Sequence, residues 1–323
     1  MGGVIMYEYQ DRGTVERYYN KQHIDEINGS REGYRAYRQQ WDAPEQKLHT
    51  YPAPLEVLVE LTSWCNYTCK MCLKNFVTNT ERINMPIELV QKIADNAREM
   101  NVASLWIGAG SECMIHPEIE KALDILLSVQ TLDSTVLTNG SCLNEKIARL
   151  LVEKQAKNVS ISLDASRADT YKEIRGGNLA HVEKNIERLL KLRGNKDFPM
   201  LRVSMVKMLD NADQRDEFLH KWEGRADIID FQTLVVFDKN KKKQTTDKKY
   251  DGCMDPFKRL YVNYDGAIYP CCVSGYQEAH YLGNIKDITL MEAWNSPKLQ
   301  QLREELRSGN LSENCLRCCA SRD

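Results

Sequence analysis

Between residues 55 and 236 the sequence alternates short β-rich runs with longer amphipathic stretches. The predicted strands are Leu55–Thr62, Ala103–Ile107, Ser134–Thr138, Val159–Leu163, Leu201–Lys207 and Ile228–Val236. The helical patterns between them are Pro86–Met100, Pro117–Gln130, Asn144–Lys154, Ala168–Leu192 and Ala212–Glu223. This alternation predicts an α/β fold with a parallel sheet. A closed eight-unit barrel needs about 250 residues, so we expect a partial, TIM-like barrel of six β/α units.

The chain of 323 residues is long enough for such a barrel and an appended domain. We expect residues 1–50 to form an N-terminal helical extension, because Tyr34, Tyr37 and Trp41 recur at helical spacing. The barrel is expected over residues 51–237. A lysine-rich linker follows at 238–252, and residues 253–323 form a small domain with a β-hairpin and helices.

Charge and hydropathy exclude several classes of protein. The net charge of −2 gives no general attraction for nucleic acid. Apolar runs such as Leu55–Thr62 are far too short to span a bilayer. The first residues turn polar at once, which does not fit a secretory signal. We therefore expect a cytoplasmic protein without a nucleic-acid or membrane partner.

Eleven cysteines are unevenly distributed along the chain. Three fall between Cys65 and Cys72, two are Cys113 and Cys142, and six lie between Cys253 and Cys319. In a reducing compartment, clustered cysteines are more often metal ligands or catalytic thiols than disulfides. The distribution predicts two metal sites.

The first site is Cys65, Cys69 and Cys72, in the sequence LTSWCNYTCKMCL just after the first predicted strand. Three thiolates at this spacing hold three irons of a [4Fe–4S] cluster and leave the fourth iron open. A structural zinc site normally closes with four ligands, and no further Cys or His lies nearby. In barrels of this kind, chemistry occurs at the carboxyl ends of the strands.

This cysteine loop resembles the signature of the radical S-adenosylmethionine (SAM) superfamily. The resemblance implies that the open iron binds SAM and that the cluster cleaves it to a 5′-deoxyadenosyl radical. Further segments resemble the family's cofactor-binding segments: WIGAGSECMIHPE, LTNG, SLDA and YKEIRGG. The cofactor-binding residues that the resemblance implies are Gly108, Gly110, Glu112, Thr138, Asn139, Ser162, Asp164 and Arg175.

The second site lies near the C-terminus, where Cys253 and Cys271 have the spacing C-x12-G-x4-C. A predicted hairpin turns at Asp265–Gly266 between them. Cys315 and Cys318 follow as a C-x2-C pair. Four such thiolates suit a closed [4Fe–4S] cluster or a zinc ion.

The C-terminal region resembles SPASM and twitch domains, which carry auxiliary clusters. That resemblance implies one auxiliary [4Fe–4S] cluster, as in the shorter twitch form. Cys272 directly follows Cys271 and is an alternative ligand to it.

A cluster closed by four thiolates suits electron transfer, which favours dehydrogenation of the substrate. Epimerisation is the alternative and needs a thiol that returns a hydrogen atom. Cys113 and Cys272 are the candidates for that catalytic role. The segment YRAYRQQW before this core resembles radical SAM proteins of surface-polysaccharide pathways.

We therefore expect a small polar substrate, namely a sugar, nucleotide sugar or aminocyclitol. We also expect a protein reductant such as flavodoxin or ferredoxin. A peptide maturase is one alternative, although residues 1–50 give no sign of the compact β/helical leader-binding module that such enzymes often carry. A non-catalytic iron–sulfur or zinc protein is the other.

Overall fold

The computed structural model describes residues 7–11, 15–76, 81–234, 253–277 and 279–315. The strands are β1 (Tyr7–Asp11), β2 (Val15–Asn20), β3 (Glu56–Val59), β4 (Ser104–Ile107), β5 (Asp133–Thr138), β6 (Asn158–Ser162), β7 (Met200–Lys207), β8 (Ile228–Thr233), β9 (Arg259–Val262), β10 (Ala267–Tyr269) and β11 (Gly283–Asn284). The helices are α1 (Lys21–Gly29), α2 (Tyr34–Asp42), α3 (Ile87–Glu99), α4 (Ile119–Leu127), α5 (Glu145–Glu153), α6 (Ala168–Arg175), α7 (Leu179–Arg193), α8 (Arg215–Trp222), α9 (Asp255–Lys258), α10 (Cys272–Gln277), α11 (Leu290–Trp294) and α12 (Pro297–Ser308). Each of the six strands predicted before residue 237 is present, which confirms the α/β class.

The described residues group into two compact units. The first contains those within 1–32, 66–72 and 135–234, and the second those within 33–65, 73–134 and 235–323. The C-terminal region shares the second unit with β3 and β4.

In the first unit, β5, β6, β7 and β8 lie side by side and run parallel. Their helices are α5 to α8. The ring of Phe218 on α8 meets that of Phe231 on β8 with centroids 5.7 Å apart. Since side chains alternate along a strand, Phe231 and Ile229 face this helix, and Asp230 between them faces the opposite side of the sheet.

The N-terminal extension is only partly helical, which corrects the sequence-based expectation. Helices α1 and α2 are present, and Tyr37 on α2 is buried against Tyr51 and Leu55. Before them, β1 and β2 form an antiparallel hairpin, and β2 pairs antiparallel with β8. Strand β2 was not recognised because its partner β8 is distant in sequence, with Arg17 and Asp230 213 residues apart, and β1 pairs only with β2.

In the second unit the strand order is β4, β3, β9, β10, β11. Strand β3 runs parallel to both β4 and β9, and β9 and β10 form the predicted antiparallel hairpin. The register places Glu56 opposite Arg259 and Leu58 opposite Tyr261. The C-terminal region therefore continues the sheet that begins with the first predicted strand.

Buried polar contacts hold the C-terminal helices in the second unit. The indole Nε1 of Trp294 donates to the Tyr51 carbonyl at 2.9 Å. Arg303 is fully buried, stacks on the Trp294 ring at 4.0 Å and donates its Nε to the Pro256 carbonyl at 2.9 Å. These contacts satisfy groups that would be costly to bury unpaired.

The helices match the predictions except at one break. The pattern over Ala168–Leu192 forms two helices, α6 and α7, because Gly176 ends α6 in the left-handed region at φ +76°. Glycine adopts that conformation without the steric cost of a Cβ. None of the helices in the described part of the chain is both long and apolar enough to cross a membrane.

Candidate active site

The three cysteines of the first predicted site form no disulfide and are half-buried, in the loop after β3. In the first unit, the amide of Lys70 donates to the Ile174 carbonyl at 2.9 Å. The Sγ of Cys69 lies 4.0 Å from the carbonyl oxygen of Arg175. This part of the loop is thus held against the end of α6.

A polar network links the same loop to the end of β5. The side-chain Nδ2 of Asn139 donates to Asn66 Oδ1 at 2.8 Å, and Asn66 Nδ2 donates to Ser141 Oγ at 2.8 Å. Thr138 accepts from the Gly140 amide, so its hydroxyl stabilises the turn. Sequence reasoning named Asn139 and Thr138 but missed Asn66, although Asn66 directly follows Cys65.

Asp164 and Arg175, both predicted to bind cofactor, form a buried ion pair in the first unit. Asp164 also accepts from the Val206 amide at 2.7 Å. Burial alone would lower the pKa of Arg175, but the carboxylate of Asp164 raises it, so the guanidinium stays charged. Its buried Nε has no hydrogen-bond partner among the described residues, and an acceptor from a bound ligand would satisfy it.

The glycine segment after β4 lies in the second unit. Gly108 and Gly110 have φ values of +91° and +110°, which only glycine adopts readily. Glu112 is 1% exposed, and its Oε1 accepts from the Met114 amide at 3.1 Å. Next to it, Ser111 donates to Glu60 Oε1 at 2.6 Å. Sequence reasoning did not name Glu60 as a site residue.

The C-terminal thiols of Cys253, Cys271, Cys272 and Cys315 are also half-buried and form no disulfide. Burial, and then the nearby Cys272, Asp255 and Cys253, raise the pKa of Cys271 well above its usual value. The Sγ of Cys315 lies 3.9 Å from Nε2 of His280. The predicted ligand Cys318 lies outside the described residues.

Neither thiol proposed for hydrogen-atom return is well exposed. Cys113 is 1% exposed in the short turn Cys113–Ile115. Cys272 packs against the apolar cluster that contains Tyr261 and Tyr269. Cys142 is a spare thiol beside the cysteine loop, with its half-buried Sγ 3.9 Å from Asn66 Nδ2.

In the described ranges, no group of three or more Cys, His, Asp or Glu is arranged to bind a single metal ion. In a cubane cluster each thiolate binds a different iron, so its ligands need not be as close as those of one ion. Among the described residues, the chain is an α/β protein with two sets of half-buried thiols outside any disulfide.

Comparison with solved structures identifies the fold. SuiB of Streptococcus suis bound to the precursor peptide SuiA has a TM-score of 0.61 at 15% identity, covering 90% of this chain and 74% of that one. BtrN in complex with AdoMet and 2-DOIA has a TM-score of 0.54 at 16% identity, covering 79% and 87%. The chain named anSMEcpe, with bound AdoMet, has a TM-score of 0.59 at 16% identity, covering 83% and 85%.

Family comparison identifies the class. The model of the radical SAM superfamily matches residues 59–220, half of the chain. The SPASM model, described as an iron–sulfur cluster-binding domain, matches residues 253–319. The chain belongs to the radical SAM superfamily. It is a radical SAM enzyme with a C-terminal SPASM domain, and the predicted cofactors, SAM and [4Fe–4S] clusters, are confirmed.

Two curated relatives share 27–28% identity with this chain. GTP 3′,8-cyclase of Lactiplantibacillus plantarum is 28% identical over 218 residues, which cover 65% of this chain and 63% of the relative. A probable GTP 3′,8-cyclase of Methanococcus vannielii is 27% identical over 176 residues, covering 54% and 57%. The chain therefore spans less than two thirds of the length of these relatives.

The residues present fit the cofactors by their chemistry. Three thiols outside any disulfide lie in the loop after β3, which suits a cluster with an open iron. The buried Nε of Arg175, which has no partner among the described residues, and the positive-φ residues Gly108 and Gly110 suit a closely bound ligand.

Proposed function

We propose that this enzyme removes hydrogen from a small polar substrate, a sugar, nucleotide sugar or aminocyclitol, and dehydrogenates or epimerises it. The observation that supports this is a row of polar side chains across the sheet of the first unit. The backbone register pairs Ser162 of β6 with Ser204 of β7, and Ser204 with Asp230 of β8. Asp230 in turn pairs with Arg17 of β2.

These four residues lie on one face of the sheet, because residues paired across neighbouring strands point to the same side. It is the face opposite α8, since Phe231 faces that helix. Neighbouring strands are about 4.8 Å apart, so Asp230 lies roughly 10 Å across the sheet from Ser162. Ser162 is a predicted SAM contact, so the distance leaves room for a small substrate beside the cofactor.

Charges in this row suit hydroxyl or anionic groups. Asp230 is fully buried and accepts from Arg17 Nε at 2.7 Å and Nη2 at 2.8 Å, and it also contacts Arg202. Burial raises the pKa of Asp230, but Arg202 and Arg17 outweigh this and lower it, so the carboxylate stays ionised. The remaining Nη1 of Arg17 makes no hydrogen bond to described residues and is available as a donor.

In this proposal, Cys65, Cys69 and Cys72 hold the SAM-binding cluster, and Cys253, Cys271, Cys315 and Cys318 hold the second. When bound, SAM and its cluster supply the radical that removes a hydrogen atom from the substrate. Arg17, which Asp230 holds in place, orients the substrate hydroxyls. A second cluster closed by four thiolates has no iron open to bind substrate, so in this proposal it would accept an electron from the substrate. The solved complex of BtrN with AdoMet and 2-DOIA supports a small-molecule substrate.

The test is anaerobic turnover with SAM, a reductant such as flavodoxin, and a panel of deuterated substrates. The panel contains nucleotide sugars, aminocyclitols, GTP and peptides, and the readout is deuterium in 5′-deoxyadenosine. We expect transfer from a sugar or aminocyclitol. Transfer from GTP alone, as the names of the curated relatives would favour, or from peptide alone would contradict the proposal.

A matched pair of variants tests the polar row. R17M removes a charged hydrogen-bond donor to the substrate. A hydrogen bond to a charged group contributes about 1.5–3 kcal/mol, so its loss should raise the substrate KM by about 10- to 100-fold. The control is E16Q, the preceding residue of β2, which contacts Lys207 and Arg215 on the other face. Equal effects of the two variants would mean that this face does not bind substrate.

A peptide maturase is the second candidate, and one observation favours it. Hairpin β1–β2 and helix α1 form a β/helical unit. The sequence showed no sign of such a unit, and that was the argument against peptide substrates. SuiB, solved with a precursor peptide, has the highest of the TM-scores given above. Deuterium transfer from a peptide in the same panel would select this candidate.

A further inference from the structure

Glu60 directly follows β3 and is almost fully buried, with 1% of its surface exposed. Its Oε1 accepts from Ser111 Oγ at 2.6 Å and lies 3.2 Å from Lys74 Nζ. Its Oε2 accepts from the Tyr261 hydroxyl at 2.5 Å. Burying a carboxylate carries a desolvation penalty, which partners from three separate segments offset here. We call these four residues the Glu60 cluster.

The first contact reaches the two ends of the cysteine loop. Lys74 follows Cys72 by two residues, and its ammonium also donates to the carbonyl of Ser63 at 2.5 Å. Ser63 precedes Cys65 by two residues. Through Lys74, the carboxylate of Glu60 therefore holds the residues before and after the cysteine triplet at one point.

The second contact reaches the glycine segment. Ser111 stands between Gly110 and Glu112, the predicted SAM-binding residues. A Cβ on Gly110 would lie 2.6 Å from Glu60 Oε1 and 2.3 Å from the Tyr276 hydroxyl. The backbone at Gly110 is thus packed directly onto the Glu60 carboxylate, and a larger residue there would have to displace these side-chain ends at an unfavourable φ of +110°.

The third contact comes from the SPASM domain. Tyr261 lies on β9, and the amide of Glu60 donates to the Val262 carbonyl of the same strand at 2.9 Å. The Tyr261 ring lies 6.3 Å from that of Tyr276 on α10, the helix that starts at Cys272. Glu60 therefore also contacts the domain with the C-terminal cysteines.

Strand β3 carries a second glutamate that makes an informative comparison. Glu56 lies four residues earlier and thus on the same face, and it is 2% exposed. It pairs with Arg259 of β9 at 3.0 Å and accepts from Ser104 Oγ at 3.3 Å. Glu56 has the same kinds of partner at the amino end of the strand, away from the cysteine loop and the glycine segment.

We infer that Glu60 is a positioning residue for SAM binding, which fixes the stem of the cysteine loop and the glycine segment relative to each other. It acts through Lys74 and Ser111 and does not itself touch the cofactor. The inference rests on the SAM-binding part of the proposed function and on no choice of substrate.

The test measures SAM binding without substrate. Anaerobically reconstituted E60Q, E56Q and wild-type protein are reduced, and SAM is titrated while the EPR spectrum of the SAM-binding cluster is recorded. We expect E60Q to need at least tenfold more SAM for half of the spectral change, with unchanged iron content. E56Q should titrate like the wild type. The rate of 5′-deoxyadenosine formation at saturating SAM reports separately on chemistry.

A wild-type SAM titration for E60Q, or an equal shift in E56Q, would overturn the inference. If E60Q does not fold, S111A and Y261F each remove one donor to the same carboxylate. S111A should raise the SAM requirement several-fold, while absence of any shift in S111A would also overturn it. A failed substrate panel together with a shifted E60Q titration would leave this inference standing and refute only the proposed substrate.

Discussion

Substitution of Asp164 tests whether this residue serves mainly as the charged partner of Arg175. Asp164 is 1% exposed, and its φ of +62° is in the left-handed region. D164N removes the charge but keeps a residue that tolerates this conformation, and its amide oxygen still accepts from Val206. Breaking a buried ion pair leaves Arg175 uncompensated and costs about 3–5 kcal/mol.

D164A should be more destabilising than D164N. Alanine adds about 1–2 kcal/mol for the left-handed backbone and about 1 kcal/mol for the hydrogen bond lost from Val206. The expected total is about 5–8 kcal/mol, which approaches the full stability of many domains. The asparagine and alanine variants thus separate the charge from the backbone conformation.

The assay is anaerobic urea denaturation of the reconstituted enzyme, followed by circular dichroism. The control is D213N, which affects an exposed ion pair with Arg167 and should cost less than about 1 kcal/mol. A D164N protein within 1 kcal/mol of the wild type would refute the ion-pair argument. Equal stabilities of D164N and D164A would refute the backbone argument.

Three further predictions concern the clusters and the pH dependence. Replacing Cys65, Cys69 and Cys72 together with alanine should lower the iron content from about eight to about four per chain and abolish 5′-deoxyadenosine formation; persistence of that product would contradict the assignment. C315A should retain SAM cleavage but impair product formation, and full turnover without the second cluster would argue against electron transfer. Burial raises the pKa of Glu56 above its usual value. Between the pKa of Glu56 in the unfolded state and its higher pKa in the folded state, the folded state therefore binds more protons. The free energy of unfolding then falls as the pH rises through that range. E56Q should flatten this slope in denaturation midpoints measured across that pH range, and an unchanged slope would contradict the pKa direction.

The sequence predicted the parallel strands well because each is a short β-rich run between turn signals. Strand β7, for example, spans Met200–Lys207 where Leu201–Lys207 was expected. The split of the long helical pattern at Gly176 was signalled by the pair Gly176–Gly177. It was missed because the apolar spacing continues across the glycines.

The hairpin at residues 7–20 could not be predicted from local pattern. Strand β2 is half-buried along its whole length and shows no alternation of apolar and polar residues. Its stability comes from pairing with β8 and from the contact of Arg17 with Asp230. Such a non-local contact is not visible in a short window of sequence.

The candidate site divides in a similar way. The cysteine spacing and the glycine segment are local motifs, and the family comparison bears out the class that they indicated. Glu60 and Tyr261 are 201 residues apart and became recognisable only when β3 and β9 paired. The available signal was weak: Glu60 is a charged residue at the end of an otherwise apolar strand.

The pairing of β3 with β9 also determines which experiments on the second cluster are informative. Removing the SPASM domain would remove Arg259 from Glu56 and Tyr261 from Glu60. Two buried carboxylates would lose partners, and β3 would lose the strand on one side. A truncated enzyme would therefore be damaged at β3, and its failure to cleave SAM would not report on the role of the second cluster. C315A leaves both contacts in place, so only that kind of substitution separates electron transfer from the support that this domain gives to the SAM-binding segments.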